Sequence, residues 1–120
     1  MELRQTLDTL GVDVDTTLHR FGGNEPLLAR FVRRFPQDET YQTLKTVLAE
    51  PVWDLAQIER LAHTLKGLSS QLAVTCVYLP AAELCDLLRD GKAENLPQAQ
   101  DVFLELLAGF EEAKMEIERY

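Results

Sequence analysis

The chain holds two histidines, His19 and His63, and two cysteines, Cys76 and Cys85. Of these, His63 has the surroundings that chemistry would need. The apolar residues Leu55, Ile58, Leu61, Leu65, Leu68 and Leu72 recur at helical spacing and cluster around one direction. His63 falls roughly 160° from that direction at the 3.6-residue period, so its imidazole faces away from the core. A neutral imidazole offers a nucleophilic nitrogen near neutral pH. Lys66 lies three residues on, close enough to share that side, and an ammonium there would favour a negative group on the ring. Ala56, Gly67 and Ser70 add a row of small residues on the exposed side. Glycine inside a helix costs about 0.5–1 kcal/mol against alanine, and close approach by another molecule would offset that cost. An exposed histidine, a nearby cation and a cleared strip suit the docking of a phosphoryl donor or acceptor. Ser70, Gln71 and Arg89 rim this site or form plain polar surface.

His19 sits on a short helix with no matching partner and reads as incidental. Two thiols nine residues apart, with only two histidines in the chain, do not make a zinc set, so no metal is expected. Cys76 and Cys85 read as small, partly buried hydrophobes.

The elements that would position His63 are nearly all helical. Leu3, Leu7 and Leu10 have helical spacing, with Gly11 as a stop. Asp13 or Asp15 can cap a short helix to about Phe21, which Gly22-Gly23 ends. Asn24 with Pro26 forms a cap and first turn for a helix carrying Leu27, Leu28, Phe31 and Phe35. Pro36 interrupts it. The next apolar set, Tyr41, Leu44, Val47 and Leu48, would lie nearly opposite the Phe31/Phe35 stripe on a straight helix, so a break is expected near Gln37–Glu39. Asp54, with Gln57 three residues later, resembles a capping box for the helix to about Leu72. Thr75 to Leu79 reads as a connection, Pro80 as the opening of another helix, and Gly91 as its close. Asn95 and Pro97 start the last helix, with Ala99, Val102, Phe103, Leu106, Phe110, Ala113 and Ile117 on one side. The expectation is an all-α, antiparallel four-helix bundle of helices 24–49 (broken at Pro36), 54–72, 79–90 and 95–118. Short additional N-terminal helices occupy 1–23, within one domain spanning 1–120.

The totals agree with that reading. A length of 120 residues suits one domain with a real core. Hydrophobic residues make up 46% and charged residues 27%, as in ordinary globular chains. A net charge of −8 argues against nucleic acid as a partner, since neutralising phosphates needs a basic surface. No stretch approaches the roughly 20 apolar residues of a membrane helix, and the opening Met1-Glu2-Leu3-Arg4 has no apolar run behind it. A cytoplasmic monomer with reduced cysteines is the expectation.

The segment Ala62-His63-Thr64-Leu65-Lys66-Gly67 resembles the His-x-Leu-Lys-Gly signature of the histidine-containing phosphotransfer (HPt) family. Ala81-Ala82-Glu83-Leu84 is similar to the Ala-rich turn that follows the signature. Gly11-Val12-Asp13-Val14-Asp15 and Phe21-Gly22-Gly23-Asn24 are similar to the family's entry segment, so the resemblance covers about residues 11–115. It implies a four-helix bundle with an exposed histidine that takes a phosphoryl group from a receiver-domain aspartate or returns it. His63 matches the phosphorylated position, Lys66 the basic residue beside it, and Gly67 the glycine that clears space for the receiver. The family acts as a phosphocarrier and not as an enzyme. It has no ATP site, and no glycine-rich nucleotide loop is present here. No cofactor is expected on this chain, Mg²⁺ belonging to the receiver. The partners implied are response-regulator receivers and hybrid histidine kinases.

There are departures. The Gln or Glu that hydrogen-bonds the ring, 22 residues after the histidine, is replaced by Cys85, a weak donor and acceptor, which the resemblance still places on the receiver-docking face with Ala56, Gly67, Ser70, Gln71 and Arg89. The glycine ten residues after the histidine is replaced by Ala73, while Gln71 fits the Asn or Gln common at eight. The region Gln37–Tyr41 looks slightly longer than the usual pattern. Two other readings stand beside this one: an interaction bundle that is never phosphorylated, and an HPt domain cut from a hybrid or chemotaxis-type histidine kinase. Met1 and the finish at Tyr120 favour a free-standing protein.

Overall fold

Several helices begin where a short polar side chain takes up a backbone N–H that the first turn leaves without a partner. Asp13 accepts from the Thr16 N–H at 3.1 Å, Asn24 from Leu27 at 3.0 Å, Asp38 from Thr40 at 2.8 Å and Asp54 from Gln57 at 3.2 Å. The computed structural model describes residues 2–89 and 93–120. Its helices are α1 (Leu3–Thr9), α2 (Val14–Arg20), α3 (Glu25–Arg34), α4 (Glu39–Leu48), α5 (Leu55–Leu72), α6 (Thr75–Leu87) and α7 (Leu96–Glu118). Short 3-10 turns stand at Phe35–Gln37 and Ala93–Asn95. Among the described residues there is no strand, and no helix is long and apolar enough to cross a membrane.

The expected break at Pro36 is present. Proline lacks the N–H that a continuing helix needs, and the chain passes through the 3-10 turn to Asp38, whose extended backbone restarts α4. The change of phase brings residues on both sides of the break onto one ring of α7. Phe35 lies 5.3 Å from Phe110 between ring centroids, and Tyr41 stacks on Phe110 at 3.7 Å. The Tyr41 hydroxyl donates to Glu111 Oε1 at 2.9 Å, so the buried ring keeps a polar partner. Burial comes first and the Glu111 carboxylate second in pushing the Tyr41 phenol above its ordinary pKa.

Helix α5 turns its interior line through Ile58, Ala62, Leu65, Ser69 and Leu72. This revises the leucine-centred expectation: Leu55 on one flank, and Leu61 and Leu68 on the other, are only partly buried. Two small residues, Ala62 and Ser69, share that line, and the Ser69 hydroxyl is satisfied within its own helix, donating to the Leu65 carbonyl at 2.7 Å. The shift leaves His63 roughly 140° from the buried line by the helical period, and still exposed.

The turn from α5 to α6 is only Ala73 and Val74, which makes the two helices antiparallel neighbours. Ala73 adopts a left-handed backbone, φ 58°, and the Val74 N–H closes the helix end on the Ser69 carbonyl at 2.9 Å. A Cβ in that conformation costs about 1 kcal/mol. Ala73→Gly is therefore expected to stabilise the protein by up to about 1 kcal/mol, offset in part by the freer unfolded chain. Urea unfolding would show it as a raised midpoint at unchanged slope.

One expectation fails here. Thr75 to Leu79 is not a connection: α6 begins at Thr75 and carries the buried Pro80 inside it. Residue 80 has no N–H for the Cys76 carbonyl, and that carbonyl turns to α7 instead. Gly109 meets it with bare backbone, and any Cβ there would collide with Cys76 O. The Cys76 thiol donates to the Gly109 carbonyl at 3.4 Å, closing the contact from the other side. Helix 79–90 is thus corrected to Thr75–Leu87, and the stop assigned to Gly91 lies outside the described residues. The stripe on α7 is as expected, with Gly109 added to it.

The N-terminal helices join the same core through Leu3, Leu7, Leu10, Val12 and Val14. Arg20 at the end of α2 donates to the Ser70 carbonyl of α5 at 3.2 Å, tying the N-terminal hairpin to the helix that bears His63.

Candidate functional site

His63 stands in the middle of α5 with its side chain in solvent. It borders an open depression of about 450 Å³ shared with Ala56, Glu59, Arg60 and Thr64. Helical side chains tilt toward the N-terminus of their helix. The ring therefore leans over the turn holding Glu59 and Arg60, and Lys66, one turn further on, leans back toward His63. The Thr64 hydroxyl is turned to the backbone, donating to the Arg60 carbonyl at 3.1 Å. Lys66 is half-buried, on the flank that faces α6.

Beneath that flank lies Cys85, only 6% exposed. This corrects its placement on the docking face: the thiol floors the space between α5 and α6 and is not presented to a partner. Burial pushes its pKa up, Lys66 pulls it down, and Glu59 pushes it up again, which puts both charges within electrostatic reach of one sulfur.

Gly67 is exposed, and a side chain there would meet nothing within 4 Å. No neighbour in the chain requires glycine at this position, which contrasts with Gly109. Gly67→Leu is expected to gain up to about 1 kcal/mol of stability from helix propensity. The same variant should slow phosphoryl exchange with a receiver about tenfold or more, through the bulk added beside the ring. Stopped-flow transfer rates set against melting curves would show the two effects moving in opposite directions.

Ser70 is exposed on the same side, its carbonyl held by Arg20. Gln71 has moved round the helix and lines a separate groove with Phe31, Arg34 and Leu68, away from the ring. Arg89 is exposed beyond the end of α6 and pairs with Asp86 at 2.8 Å. The structure thus gathers His63, Ala56, Lys66, Gly67 and Ser70 on one face and leaves Gln71 and Cys85 off it. Glu59, Arg60 and Thr64 border the ring without having been singled out. Their signal was available as spacing, at four and three residues before His63 and one after. Among the described residues no group of three or more His, Cys, Asp or Glu could hold a metal ion.

The family model for the Hpt domain matches residues 27–115. The chain belongs to the Hpt domain family. No curated protein and no solved structure matches it. The match runs from the first turn of α3 into the last turns of α7. The segments at 11–15 and 21–24, expected to belong to the resemblance, precede it. Hpt domains are phosphocarrier modules of two-component phosphorelays, and they interact with receiver domains and histidine kinases. The all-helical bundle seen here is the Hpt fold.

Proposed function

We propose that this Hpt domain carries its phosphoryl group on His63, taking it from a receiver-domain aspartate or returning it. The observation that carries this reading is the exposed imidazole at mid-helix, bordered by an open depression and by a glycine that nothing in the chain requires. The ring nitrogen remote from the backbone, Nε2, attacks the phosphorus of the aspartyl phosphate. The N–P bond forms as the P–O bond breaks, and the carboxylate leaves with the bonding pair. Such transfers pass through a loose transition state and depend on positioning and charge stabilisation. Lys66 balances the phosphoryl charge from the chain's own side. The receiver supplies the acidic pocket and Mg²⁺, and no nucleotide site is needed on this chain.

The test is to charge receivers with labelled acetyl phosphate and mix them with the protein. Label that moves to this chain, is lost in acid, survives alkali and maps to the peptide containing His63 is the expected result. An acid-stable label, or label on another residue, would sink the proposal.

A further inference from the structure

Neutral histidine exists as two tautomers, and free in water it favours the proton on Nε2, the nitrogen that must attack. A residue that accepts a hydrogen bond from Nδ1 reverses this preference. Among the described residues the ring of His63 has no hydrogen-bond partner in the present rotamers, so the residues around it decide which acceptor is within reach. Ala56 carries no polar atom, and Arg60 and Lys66 only donate. Thr64 is adjacent in sequence, and side chains at i and i+1 diverge on a helix. Cys85 is buried, and a thiol accepts weakly. Glu59 remains. It borders the same depression as His63 and lies on the turn over which the ring leans. The two are i and i+4 neighbours, a spacing that places Cβ atoms about 5–6 Å apart. Glu59 is partly buried, and among the described residues it makes no ion pair, so its carboxylate can swing to the ring without giving up a partner.

We infer that Glu59 is a positioning residue for His63: its carboxylate accepts the Nδ1–H and holds the ring with the Nε2 lone pair toward solvent. The consequence for transfer rests on His63 being the phosphoryl acceptor. Once Nε2 is phosphorylated the ring keeps its Nδ1 proton, and the same carboxylate faces the resulting cation.

The tautomer can be read from ¹⁵N chemical shifts of His63 in the unphosphorylated full chain, at a pH where the ring is neutral. Wild type is expected to show mainly Nδ1–H. Glu59→Leu should return the ring to mainly Nε2–H, with α5 intact by circular dichroism. Glu59→Gln, which keeps an acceptor oxygen, should retain the wild-type tautomer. Transfer from a phosphorylated receiver should fall about tenfold in the Leu variant, the worth of one hydrogen bond of about 1.4 kcal/mol, and be largely restored in the Gln variant. A wild-type ring that is mainly Nε2–H, or a tautomer indifferent to Glu59→Leu, overturns the inference. The shift measurement needs neither partner nor phosphate, so its failure is distinguishable from failure of the phosphorelay assignment.

Discussion

A His63→Gln protein is expected to accept no detectable label from a phosphorylated receiver, a loss of more than about a thousandfold, while unfolding within about 0.5 kcal/mol of wild type. The two halves of this result have separate causes. The imidazole is in solvent at mid-helix, so its removal opens no cavity. Glutamine is a good helix former, so α5 is not weakened. The amide that replaces the ring has no nitrogen lone pair able to attack phosphorus. The adjacent hydroxyl, on Thr64, is engaged in donating to the Arg60 carbonyl. His19 lies on another helix, α2, and not on the face of α5 that bears the cleared strip. Phosphotransfer assays run beside chemical denaturation check both halves. A variant that keeps the label refutes the assignment of His63, and a variant that loses the fold refutes its placement on the surface.

The second large effect is in the core. Gly109→Ala is expected to cost about 3 kcal/mol, the upper part of the overpacking range, and to lower Tm by roughly 10 °C. The added methyl collides with the Cys76 carbonyl, a backbone atom that cannot rotate aside. Either α6 and α7 separate, or α6 bends at Pro80. Separation also stretches the thiol contact from Cys76 to the Gly109 carbonyl. The proline sharpens the prediction. In Pro80→Ala the restored N–H can draw the Cys76 carbonyl back along the axis of α6 and away from α7. The double variant Pro80→Ala/Gly109→Ala should therefore be less destabilised than the sum of the singles, by more than the roughly 0.3–0.5 kcal/mol within which independent sites add. Strict additivity would show that the carbonyl is not the obstacle.

The parts of this structure that were legible in the sequence are those set by local chemistry. Asp13, Asn24 and Asp54 cap helices because their side chains reach a backbone N–H three residues on, and such spacing is visible in a string of letters. The break after Pro36 was legible because two apolar stripes were out of phase. His63 was legible because exposure is the complement of amphipathic burial. What was missed depends on a neighbour in space. Pro80 reads equally well as the start of a helix or as its interior. What decides between them is that Gly109, 29 residues later, receives the carbonyl that proline leaves without a donor. The buried line of α5 takes in Ala62 and Ser69 beside Ile58, Leu65 and Leu72, and leaves Leu55, Leu61 and Leu68 partly exposed, because the neighbouring helices, α6 above all, set which side is covered. Cys85 was placed at the rim because its distance from His63 along the chain matched a contact position, whereas the direction it faces on α6 puts it underneath.

The order in which the helices pack has a kinetic consequence. Helix α4 packs on α5, α5 on α6, and α6 on α7, so most tertiary contacts join segments adjacent in the chain. Little loop entropy opposes such contacts, and folds built from them form in microseconds to milliseconds. The stack of Tyr41 on Phe110 is among the exceptions, with Phe35 against the same ring, since it joins residues far apart in the chain. Its loop-closure cost falls once the helix pairs between the two residues have come together, so the stack is expected to form late in folding, and a low φ-value for Tyr41→Phe or Phe110→Leu would show it.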